Sequence, residues 1–111
     1  MTSAPEIEAT VTFEGIGTGT DLWGGTQANF LVFRPGHHEK EAAVVLNGPA
    51  AAYLAGMLGR EDDAAFRAEA ARQIGQRWLE SLIAQGHHVD SVAVVSRALL
   101  EREPGLARAL R

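Results

Sequence analysis

Four histidines stand in two adjacent pairs, His37-His38 and His87-His88, and they are the side chains of this 111-residue chain best suited to chemistry. Imidazole binds divalent metals and exchanges protons near neutral pH. With Glu39 and Asp90 beside them, the pairs supply a His/carboxylate donor set, provided that the fold brings two distant loops together. Neither pair has the HxH or HExxH spacing that puts two ligands on one face of a strand or helix. Local sequence alone therefore gives two solvated loop pairs. A metal site at His37, His38, His87 and His88 requires their convergence. His87, just beyond a helix end, also suits the negative pole of that helix.

Other chemical signals are weaker. The segment Gly15-Ile16-Gly17-Thr18-Gly19-Thr20 follows a strand and has the glycines of a phosphate-cradling loop. It has no lysine at the P-loop position and no helix opening behind it, so a connection needing positive φ angles is the simpler reading. In the same glycine-rich stretch, Asp21, Trp23, Gly24 and Gly25 form a candidate partner-binding tip. Trp23 has two readings: an exposed indole anchoring a partner, or a ring folded back over the sheet. Ser81, Ser91 and Ser96 lack a nucleophile elbow, and the carboxylates Asp62 and Asp63 are explained by helix capping. No cofactor is expected, and catalysis is the less favoured role.

Charge narrows the partners. The net charge is −4, with one lysine, Lys40. Residues 1–60 carry three basic against six acidic side chains, and residues 61–111 seven against eight. A nucleic-acid surface needs a local basic excess, and only the C-terminal arginines Arg97, Arg102, Arg108 and Arg111 offer one. Nucleic acid is thus the least favoured partner. No apolar run reaches membrane-spanning length. The absence of cysteine, together with a polar, acidic start, fits the cytoplasm.

The elements that must position these residues follow from periodicity. Residues 62–86 read as one long amphipathic helix, capped by Asp62 or Asp63 and ended by Gly86. Phe66, Ala70, Ile74, Trp78 and Leu82 recur every fourth position, with Leu79 and Ile83 widening the stripe. Before it, Val11 and Phe13 alternate with polar residues as a half-buried strand, and residues 28–33 form a strand apolar on both faces. Pro35-Gly36 turns the chain into a third strand over residues 40–46. Asn47-Gly48-Pro49 opens a short helix with Leu54, Met57 and Leu58 inward and Tyr53 at its edge. Residues 87–95 contain four valines, a strand signal, but Asp90 or Ser91 capping a helix as far as Glu101 is preferred because residues 96–102 are strong helix formers.

The expected architecture is one α+β domain over residues 1–111: a three-stranded antiparallel sheet, then two to four helices packed on one face. Residues 1–5 form a loose terminus and residues 104–111 a short last helix. Such a small sheet leaves bare edges, and a wide apolar helix face exceeds what it covers. The leading expectation is a non-catalytic interaction or regulatory domain, homodimeric, binding another protein. A metal- or ligand-binding protein using the histidine pairs is the alternative, and a weak nucleic-acid binder the third.

Overall fold

The structure, a computed structural model, describes residues 9–17 and 25–110. Its elements run β1 (Thr10–Gly17), β2 (Thr26–Phe33), β3 (Lys40–Leu46), α1 (Gly48–Leu58), α2 (Ala64–Ala84), β4 (Val92–Val95), α3 (Arg97–Arg102) and a 3-10 helix, Pro104–Leu110. The α+β class holds, but the sheet differs from the expected one. It has four strands in the order β1-β2-β3-β4, the first three antiparallel and β4 parallel to β3. The helix expected between Asp90 or Ser91 and Glu101 is replaced by β4 and the short α3. The reason is tertiary. Without β4, the β3 edge would leave the Ala43 and Asn47 amides bare; they donate instead to the Ser91 and Val95 carbonyls at 2.8 and 3.3 Å. The three β-branched side chains of β4, Val92, Val94 and Val95, lose less in a strand than in a helix, and Ser96 caps α3 by accepting from the Leu99 amide.

Helix α2 begins where the sequence indicates. The Asp63 carboxylate accepts from the Phe66 amide at 2.8 Å, and Gly86 takes φ +72° just beyond the end. Its buried face is Phe66, Ala70, Ala71, Ile74, Gly75 and Leu79, packed on β1, β2 and β3. Trp78 and Leu82, expected at the centre of the stripe, are only half-buried at its margin. Small residues at the centre let the helix lie close on the sheet. Phe30 and Phe66 are then fully enclosed, each burial contributing about 1.5–3 kcal/mol.

The Asn47 side chain caps α1 through the Ala50 amide, and Gly59 closes it in the left-handed conformation. Its inner face is Ala50, Ala51, Leu54 and Ala55, whereas Met57, expected inward, is exposed. Along the exposed side of α2, Glu69 meets Arg60 at 3.4 Å, and Arg72 lies over the Phe13 ring. Among the described residues no helix is long and apolar enough to cross a membrane.

Only one face of the sheet is covered by helices. On β2, alternation sends Ala28, Phe30 and Val32 to the core and Leu31 and Phe33 to the other side, where both stay half-buried. On β4, Val92 and Val94 share that uncovered side and are 60% and 55% exposed.

Candidate functional site

The histidine cleft is built by a turn and a crossover. The His37 amide donates to the Arg34 carbonyl at 3.0 Å, closing a β-turn over Pro35-Gly36. Gly36 has φ +81°, which that turn requires and which a side chain would resist. Across from it, the chain leaves α2 at Gly86 and runs through residues 87–91 into β4. Val89 anchors this crossover, at 2% exposure. Two cations strap it to the hairpin: Lys40 Nζ donates to the Val89 carbonyl and Arg34 Nη1 to the His87 carbonyl at 3.4 Å.

The result is a cleft of about 200 Å³ lined by Arg34, His37, His38, Lys40 and His88 over a floor of Val32 and Val89. Fold topology thus brings three of the four histidines to one cleft, while the His87 side chain does not line it. His88 Nε2 stands 3.6 Å from Asp90 Oδ1, both side chains about three-quarters exposed. Among the described residues, no three of His, Cys, Asp or Glu are placed to hold a metal ion together. The cleft is instead cationic. Among the described residues neither Arg34 nor Lys40 has a carboxylate within ion-pair distance. Sequence reasoning missed both residues; the signal was that the only lysine lies two residues from a histidine pair.

A second feature is the free edge of β4. The Ser91 and Val95 carbonyls point to β3, so strand alternation turns the amides and carbonyls of Val92 and Val94 outward. A groove of about 360 Å³ runs along this edge, walled by Trp78, Leu82, Ala93 and Leu99, with Asp90 and Arg102 at its rim. The opposite edge of the sheet is blunted. β1 carries a bulge between Phe13 and Gly15, and Gln76 Nε2 donates to its Val11 carbonyl at 2.8 Å.

A third recess, about 600 Å³ and wide open, lies on the uncovered sheet face among Glu14, Gln27, Asn29, Glu41 and Ser91. Gln27 and Asn29 are bonded to each other at 2.8 Å.

Asp21, Trp23 and Gly24 lie outside the described residues; Gly25 is half-buried immediately before β2. The C-terminal arginines do not share a surface. Arg97 pairs with Glu101 at 2.8 Å and lies over the Tyr53 ring, Arg102 borders the β4 groove, and Arg108 borders another cleft with Tyr53 and Met57. Arg111 is outside the described residues. Compared with family models, with curated proteins and with solved structures, the chain matches none of them.

Proposed function

We propose that the protein is a non-catalytic interaction domain that forms a homodimer by pairing the free edges of β4, leaving its other surfaces for a protein partner. The observation that carries this reading is the contrast between the two sheet edges. One is bulged and capped by a side chain; the other presents Val92 and Val94 with backbone groups unpaired among the described residues, and the strand itself carries no charge, proline or bulge to repel another. A bare edge of this kind is a template for strand addition.

A second copy is the occupant that the edge suits best. Antiparallel pairing centred on Ala93 sets the Val92 amide against the Val94 carbonyl of the copy and the reverse, the self-complementarity that a two-fold axis demands. In the same register Asp90 of one copy approaches the end of β4 in the other, where Arg97 and Arg102 follow. The margin of α2 then contributes Trp78 and Leu82, half-buried in one chain, as apolar cover beside the joined strands.

Solution mass tests this. The wild type is expected at twice the 11.8 kDa chain mass, and a Val92→Lys/Val94→Lys variant at the chain mass with its helix content unchanged. Because both valines face solvent, the variant leaves the core intact. A wild type that stays at the chain mass up to millimolar concentration would refute the proposal.

A second reading, as a ligand-binding protein, is favoured by the histidine cleft.

A further inference from the structure

We infer that the cleft between the β2–β3 turn and the α2–β4 crossover is a binding site for a small phosphate-type oxyanion, either inorganic phosphate or the phosphoryl group of a monoester. Its donors come from three separate stretches of chain: Arg34 at the end of β2, His37, His38 and Lys40 from the turn and the start of β3, and His88 from the crossover. Arg34 and Lys40 each spend one donor on a crossover carbonyl. A guanidinium has five N–H groups and an ammonium three, so donors remain on both. Carbonyl oxygens orient these cations without neutralising them, and among the described residues no carboxylate is within ion-pair distance of either. In a chain of net charge −4, two of the three basic residues before position 61 meet here.

Charge and size together select the ligand. Two fixed positive charges match a dianion, and donors arriving from several directions suit a tetrahedral group better than a planar carboxylate. The volume of about 200 Å³ accommodates a phosphoryl group and a few waters, each water taking about 30 Å³. It is below the range of about 300–1,000 Å³ typical for cofactor-sized ligands. The neighbouring carboxylates are Glu39, exposed on the turn, and Asp90, which faces His88. They border the site and disfavour a ligand with more negative charge than the cations balance. The apolar floor of Val32 and Val89 weakens screening of the cations. This inference does not depend on dimer formation, since the cleft lies within one chain.

The experiment is an amide NMR titration at constant ionic strength with three probes: sodium phosphate, phenyl phosphate and sodium acetate. Saturable shifts confined to residues 34–40 and 87–90 with phosphate are expected, and acetate should leave them unmoved. Phenyl phosphate binding as well as phosphate identifies a monoester site; phosphate alone identifies a site for the free ion. Arg34→Gln should weaken binding about tenfold, the usual weight of one charge-assisted contact. Lys40→Arg, which keeps the charge and the strap, should retain binding where Lys40→Gln loses it. His38→Ala, at an exposed position, should also weaken binding while leaving the spectrum otherwise unchanged. Absence of saturable shifts, equal response to acetate, or unchanged affinity in both Arg34→Gln and Lys40→Gln would overturn the inference.

Discussion

Gly75 of α2 lies against the ring of Phe30 on β2 so closely that a Cβ at position 75 would stand 2.8 Å from Phe30 Cε2 and 3.2 Å from Val44 Cβ. Glycine inside a helix ordinarily costs about 1 kcal/mol relative to alanine. Here it is the condition for the helix to seat on the sheet. Gly75→Ala is therefore expected to destabilise the fold by about 1–3 kcal/mol, as overpacked cores do, despite its gain in helix propensity. Urea unfolding measures it. Stabilisation by the alanine would show that α2 sits farther from the sheet than described.

The boundary between β4 and α3 rests on Ser96, whose hydroxyl accepts from the Leu99 amide at 3.2 Å. Ser96→Ala should lose about 1 kcal/mol of stability, and Ser96→Asp should restore most of it, since both Ser and Asp cap well. Thermal melting of the three proteins at one concentration tests this. Equal melting temperatures would mean that the short helix α3 needs no cap.

Much of this architecture is legible in the sequence, and most of what is not has one cause, the distance along the chain between the partners that meet. The caps of α1 and α2 depend on residues three positions apart, so Asn47 and Asp63 announce themselves. The hairpins are also local, set by Pro35-Gly36 and by alternation along β2. Residues 89–95 are ambiguous because their valines admit a strand only if a partner edge exists, and that edge belongs to β3, about fifty residues earlier. The same separation hides the basic cleft: Lys40 and Val89 meet only because β4 joins the sheet beside β3. Trp78 illustrates a different limit. Its fourfold spacing places it on the apolar side of α2, but not at the centre, because small residues allow the sheet to approach at Ala71 and Gly75 instead.

An acid dependence follows from Asp62. The Arg67 guanidinium, bonded to its carboxylate at 2.7 Å, holds the Asp62 carboxyl below its ordinary value, with slight burial opposing and charge attraction adding. A carboxyl depressed by folding stabilises the protein above the ordinary carboxylate range, and that contribution disappears as the pH falls through the folded value. The pair is solvent-accessible, so Asp62→Asn should cost only about 0.2–1 kcal/mol at neutral pH. The gap between variant and wild type should close in acid. A gap that persists well below the carboxylate range, followed by urea unfolding across pH, would place the effect elsewhere than in this ion pair.

Amide hydrogen exchange at Val92 and Val94 reaches the central claim most directly, because those two N–H groups point to the free edge in one chain and are bonded only if a second strand is added. Read against dilution, they should be protected at high protein concentration and exchange freely at low concentration, while Val95, turned toward β3, stays protected throughout. Free exchange of Val92 and Val94 at every concentration would contradict pairing through β4.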